Sequence, residues 1–245
     1  MQDHVHSPPQ APWRPAYTTL EKVPVSRPVD RLDHIESLCR DKVVLDIGCL
    51  DETALVKRDT QHWLHGRIAR VARQVVGVDA SERIPEGGLE TGPASRIHRG
   101  DAMRLDQALV QSAPFDLVVA GEFIEHVSDP LKFLAHLRRA LPGRELVLST
   151  PNGPSAANAL MALIGREPQH PDHLANFSFK ILHTLCRRAG FDAFEIRPYR
   201  FYATEMILRS DGFARLAARG AEAGIRALER LCPLLSFGWI VRAQL

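Results

Sequence analysis

The chain has no CxxC pair, no apolar run long enough to cross a bilayer, no block of one charge sign and no internal repeat. Each absence removes a class of function. Four cysteines, Cys39, Cys49, Cys186 and Cys232, lie far apart, which argues for reduced thiols in a cytoplasmic setting rather than a disulfide framework. Thirty-one Lys and Arg against 29 Asp and Glu leave a net charge of +2, spread along the chain, so a nucleic-acid footprint is missing. The opening stretch, MQDHVHSPPQAPWRPAY, lacks the apolar core of a signal peptide and reads over residues 1–16 as a Pro-rich mobile leader. The remaining residues, 17–245, are enough to bury one core, and a single domain is expected there.

What is present begins with VVLDIGC at Val43 to Cys49 and VVGVDAS at Val75 to Ser81. Apolar runs of this length read as buried parallel strands. A glycine just past the first, Gly48, lets the backbone approach a ligand without a Cβ in the way. A carboxylate at the tip of the second, Asp79, is placed to accept the hydroxyl hydrogens of a ribose. This half-motif serves dehydrogenases and methyltransferases alike.

Further strands are expected at Arg96 to His98, Asp116 to Ala120, ELVLST, FDAFEIRPY and GWIVRAQL. Helices are expected at Pro28 to Arg40, where one caps the cleft, and in TQHWLHGRIARVAR, PLKFLAHLRRAL, SFKILHTLCRRAG and Gly212 to Leu235. Strand and helix alternate, which predicts a doubly wound α/β sheet with ligands outside the carboxyl ends of the strands.

LDIGC, VVGVD, GDA, FDLVVAGEFIEHVSDP and LVLSTPNG, in this order, resemble the class I S-adenosylmethionine-dependent methyltransferases over Val43 to Tyr199. The resemblance implies a Rossmann-like sheet of seven strands, the last antiparallel and inserted beside the fifth. It also implies that Asp46 and Gly48 sit by the methionine part of the cofactor, that Asp79 binds ribose, and that Asp101 binds the adenine amino group. Ala102 and Met103 would lie against the ring. Cys49, in the same loop, is also expected among the cofactor-binding residues and packs as a small apolar residue. In such enzymes the loop continues with two more glycines, where this chain has Leu50 and Glu52. A side chain at Leu50 requires the loop to take another path or cofactor affinity to fall.

After the fourth expected strand come Glu122, Glu125 and His126, at i, i+3 and i+4, which on a helical turn would share one face. Carboxylates that close repel unless a cation or proton lies between them. With His173, favoured over His170 in the HPDH segment, they form a candidate shell for magnesium, manganese or zinc. The ExxEH pattern is similar to that of two metal-using methyltransferase families, the ubiquinone-pathway O-methyltransferases and the small-RNA terminal 2′-O-methyltransferases. A hydroxyl acceptor is therefore expected, on a small molecule or glycan, with Glu125 and His126 as catalytic residues. Two other readings stand beside it: methyl transfer to nitrogen or carbon with His126 as a metal-free base, and a noncatalytic partner subunit. His62 and His65 are expected to be partly exposed helix residues, and Arg96 to Arg99 a solvated strand end.

Two additions are expected near residues 153–175 and 209–235. SAANALMALIGREP is apolar, and Arg209, Arg215, Arg219 and Arg226 give the later segment a basic face. Together they read as a helix pair on the core, as a roof over an apolar acceptor, or as a peripheral membrane contact.

Overall fold

A computed structural model describes residues 22–50, 54–58 and 60–245; the expected leader and Glu52 lie outside the described residues. Among the described residues eight strands are present: β1 (Val43–Ile47), β2 (Gln74–Asp79), β3 (Leu89–Gly92), β4 (Ser95–Arg99), β5 (Leu117–Gly121), β6 (Glu145–Pro151), β7 (Phe194–Tyr199) and β8 (Gly238–Gln244). The helices are α1 (Arg31–Cys39), α2 (Ala54–Lys57), α3 (Leu64–Val71), α4 (Gln107–Gln111), α5 (Pro130–Ala140), α6 (Ala156–Leu163), α7 (Phe179–Arg188), α8 (Thr204–Leu208) and α9 (Gly212–Leu231).

The strands form one sheet in the order β3-β4-β2-β1-β5-β6-β8-β7. Neighbours from β4 to β6 run parallel, and β8 runs antiparallel between β6 and β7, beside the fifth expected strand. The expected seven strands become eight because Leu89–Gly92 pairs antiparallel with β4 at the sheet edge. Its sequence, LETG, has neither an apolar run nor an alternation to announce it, and a turn at Pro93 and Ala94 creates the pairing.

Every residue of β1 is buried, because helices cover both faces of the sheet. Val43, Leu45 and Ile47 face a core completed by Phe133 and Leu137 of α5 and Leu182 of α7. Val44 faces the opposite core, with Ile35 of α1 and Ile68 of α3. The period of two along a strand sends Asp46 to this α3 side.

Caps set the helix boundaries. Asp30 accepts from the Asp33 N–H at 3.1 Å, so α1 starts at Arg31 rather than at the proline expected to open it. Asp129 does the same for α5, with Pro130 in the first turn. Pro233 ends α9 short of the expected Leu235 and starts a separate 3-10 turn. Among the described residues, no helix is long and apolar enough to cross a membrane.

Candidate functional site

A cleft of about 1110 Å³ opens at the carboxyl ends of β1, β2, β4 and β5. One end is built from strand tips. Gly48 leaves β1 at φ +65°, and a Cβ there would stand 2.3 Å from the Phe123 ring. Only glycine meets both demands. Its N–H donates to the Val78 carbonyl at 2.9 Å, tying the loop to β2.

Asp79 ends β2 with one carboxylate oxygen accepting the Leu50 N–H and the other the Ser81 N–H, both at 2.9 Å. Leu50 is buried among Cys49, Ala54, Trp63, Ile84 and Ile97. The loop thus takes a path that stores the leucine side chain in a small core while its amide meets Asp79. The Cys49 carbonyl accepts from the Trp63 indole N–H at 3.0 Å, and burial, with the charges of Asp46 and Asp79, pushes the Cys49 thiol well above its ordinary range. At the tip of β4, Asp101 accepts from the Met103 N–H at 2.8 Å and opens a 3-10 turn that buries Ala102 and half-buries Met103.

Asp46 does not reach into open cleft alone. His65 Nδ1 lies 2.8 Å from its carboxylate, and His65 Nε2 lies 2.8 Å from the Thr91 hydroxyl and 3.2 Å from that of Ser95. The expectation of a partly exposed His65 is corrected: the imidazole is buried. Its position on the inner face of α3 opposite the α3 side of β1 is the cause. His62 precedes the helix and lines the cleft. Arg96 and Arg99 are solvated and paired with Glu90 and Glu82.

The other end of the cleft is assembled from distant segments. Glu122 adopts φ +54° and precedes a 3-10 turn over Ile124–His126, so Glu122, Glu125 and His126 do not share one helical face. The Tyr199 and Tyr202 hydroxyls both donate to Glu122, the latter at 2.9 Å. The Arg31 guanidinium stands 5.9 and 5.6 Å from these two ring centres. Burial works against its charge, yet Glu122 and its surroundings hold Arg31 firmly protonated. Sequence reasoning missed Arg31, Tyr199 and Tyr202: Arg31 follows Asp30 at the start of a polar helix and the tyrosines sit among arginines, so nothing local marks them.

Glu125 is 1% exposed, and neither carboxylate oxygen has a well-formed hydrogen bond. Burial, then the charge of Glu122, pushes its pKa up to about 8; the nearby Thr150 hydroxyl and the Arg31 charge offset only part of this. His126, His170 and His173 each bring one ring nitrogen into a group within 4.8 Å of one another. The His126 and His173 rings lie 4.7 Å apart, centre to centre. His126 Nδ1 is 3.2 Å from the Asp172 carbonyl, and His173 Nδ1 is 3.2 Å from the Gln169 amide oxygen. Burial and the two neighbouring imidazoles lower the His173 pKa, favouring the neutral ring that ligates metal. The structure therefore gathers His170 with His126 and His173, engages Glu122 with tyrosines, and leaves Glu125 buried beside the group.

Comparison with known proteins agrees with this architecture. Residues 22–196 match the family model described as a methyltransferase domain. The chain is 33% identical over 144 residues to a ubiquinone biosynthesis O-methyltransferase of Hahella chejuensis, covering 56% of this chain and 55% of the relative. It is 34% identical over 161 residues to the protein of that name from Cereibacter sphaeroides, covering 61% and 60%. The matched stretches thus span less than two thirds of those relatives. A Thermotoga maritima structure, titled a SAM-dependent methyltransferase and possible histamine N-methyltransferase, aligns over 87% of this chain and 86% of its own, at 18% identity and a TM-score of 0.53. That likeness concerns the fold. The match of the family model across most of the chain, on a sheet whose strand tips build this cleft, places the chain in the methyltransferase-domain family.

Proposed function

We propose that this chain is a methyltransferase that moves the methyl group of S-adenosylmethionine to a hydroxyl oxygen of a small molecule or glycan, assisted by a divalent cation. One observation carries the reading: a single cleft joins the Gly48–Asp79 end to the Glu125–His126 end. The cofactor fits the first end. Gly48 admits close backbone approach, Asp79 and Asp101 stand at the tips of adjacent strands, and Ala102 and Met103 offer an apolar wall for a base. The likeness to O-methyltransferases over part of the chain supports oxygen as the acceptor.

Three imidazoles, with the buried, unpartnered Glu125 carboxylate lining the same cleft, also fit a divalent cation, which His126, His170 and His173 would hold. A donor set dominated by nitrogen favours zinc over magnesium or manganese. Such a cation supplies Lewis acidity that lowers the pKa of a hydroxyl. Methyl transfer breaks the sulfur–carbon bond as the oxygen–carbon bond forms, and the hydroxyl proton must leave. With His126 on the cation, Glu125 is the group left to take it, and a carboxylate with its pKa near 8 is a stronger base than a solvated one. Positioning supplies the rest, because in-line displacement tolerates little misalignment.

Calorimetric titration with S-adenosylhomocysteine tests the cofactor reading without the acceptor. Saturable one-site binding that weakens in Asp79→Asn is expected; a folded chain that binds none favours the noncatalytic reading. Cobalt(II) titration tests the metal independently of turnover. A visible absorption band lost in His126→Ala is expected, and its absence together with chelator-insensitive turnover would move the reaction to His126 as a free base.

A further inference from the structure

Helix α9 is built inside out. Glu222, Arg226 and Glu229 recur at i, i+4 and i+7 and face the protein. Glu229 is fully buried and accepts the Phe201 N–H at 3.0 Å, Glu222 accepts the Ala203 N–H at 3.0 Å, and Arg226 donates to the Phe201 carbonyl at 2.7 Å. These charges exist to satisfy the irregular backbone that follows β7. The opposite arc is apolar and faces outward. Phe213, Leu216, Gly220, Ala223, Ala227 and Leu231 follow helical spacing without a charge among them. Phe213 is 85% exposed and Leu231 81%.

The arc does not stand alone. Helix α6 packs beside α9 and ends in Leu163, 82% exposed, and Ile164. Helix α8 also packs on α9 and adds exposed Met206 and Leu208, the latter lining the cleft. A contiguous apolar face of this kind marks an interaction surface. Charge decides its occupant. Arg219 and Arg230 lie together along one margin of the arc, and Arg166 follows the end of α6, all three exposed. The only acids of α9, Glu222 and Glu229, are turned inward, so α9 gives a second copy of this chain no carboxylate with which to receive those arginines. The headgroups of an anionic bilayer meet both requirements at once, accepting the arginines at the phosphate level and the apolar arc beneath it.

The geometry points to α9, flanked by α6 and α8, as a surface that lies on an anionic membrane with the open side of the cleft beside it. The helix rests on the bilayer rather than crossing it. The test is flotation of the full chain with vesicles of phosphatidylcholine and phosphatidylglycerol in equal parts, against vesicles of phosphatidylcholine alone. Flotation with the anionic vesicles, weakening as salt is added, is expected. Leu216→Glu with Leu231→Glu should reduce it about tenfold or more, and Arg219→Glu with Arg230→Glu several-fold. Because these side chains are exposed, circular dichroism and the melting midpoint should match the parent chain. No flotation overturns the inference, and equal flotation with both vesicle types removes the role of the arginines and overturns it as stated. A dimer in sedimentation equilibrium that Leu216→Glu makes monomeric, without flotation of the parent, assigns the face to a second copy instead.

Discussion

The two ends of the cleft are made by different means. At the β1–β2 end, the lining rests on backbone: a positive-φ glycine, amides anchored on Asp79, and a capping Asp101, all within a few residues of a strand tip. At the far end it rests on side chains drawn from α1, the turn after β5, the HPDH loop and the exit of β7. A backbone lining is local and fixed by the sheet, whereas a side-chain wall is free to change with the acceptor. One fold can thereby keep a donor and vary what receives the methyl group.

Gly48→Val attacks the first end most severely. It adds left-handed strain to a collision with Phe123, together about 4 kcal/mol, roughly a thousandfold in S-adenosylhomocysteine affinity by calorimetry. A Phe123→Ala background should restore only the part owed to collision.

His65→Ala asks whether this end also depends on a buried side chain. It strands the Asp46 carboxylate without its imidazole, at a cost of about 3 kcal/mol. In a domain of this size that is a fall in melting midpoint of roughly 6–10 °C by scanning calorimetry. An unchanged midpoint would show that water replaces the imidazole.

The far end should fail in turnover rather than in cofactor binding. His126→Ala combined with His173→Ala is expected to lower kcat about a hundredfold, while S-adenosylhomocysteine affinity stays within about twofold. Loss of both together would merge the two ends into one unit and break the comparison.

Glu125 gives a pH signature rather than a loss. Its carboxyl ionises near 4.5 when unfolded and near 8 in the fold, so the folded chain binds the extra proton between those values. Stability from this group is therefore full below about pH 4.5 and is lost as pH rises through 8. Glu125→Gln should raise the stability of metal-free protein at pH 9 and leave it unchanged at pH 4. Urea melts at the two pH values measure this, and equal shifts at both would deny the burial effect.

The same contrast governs what was legible in the sequence. Strands β1, β2, β5 and β6 were plain because buried parallel strands are written as unbroken apolar runs. The edge strand β3 carried no such run and exists through pairing alone. Gly48, Asp79 and Asp101 could be read because each sits at a strand tip. The far wall could not: a spacing of three and four residues implied one helical face for Glu122, Glu125 and His126, but the positive φ at Glu122 breaks the helix there. His65 reads as partly exposed because its partner, Asp46, lies on a strand far from it in the sequence. The basic face expected of α9 is present, but Arg226 is spent on Glu222 and the Phe201 carbonyl, and the unexpected feature is the apolar arc behind it.

The placement of β8 between β6 and β7 bears on how the end of the sheet is closed. Among the described residues β7 has β8 as its strand neighbour and, on its other side, the single bridge from Tyr199 to Val29. All of α8 and α9 lies in the chain between the two strands. The carboxylates of Glu222 and Glu229 clamp the backbone just after β7. Helix α9 is therefore a brace as well as a surface: by fixing where the chain leaves β7, it narrows the paths by which β8 can return to its slot between β6 and β7.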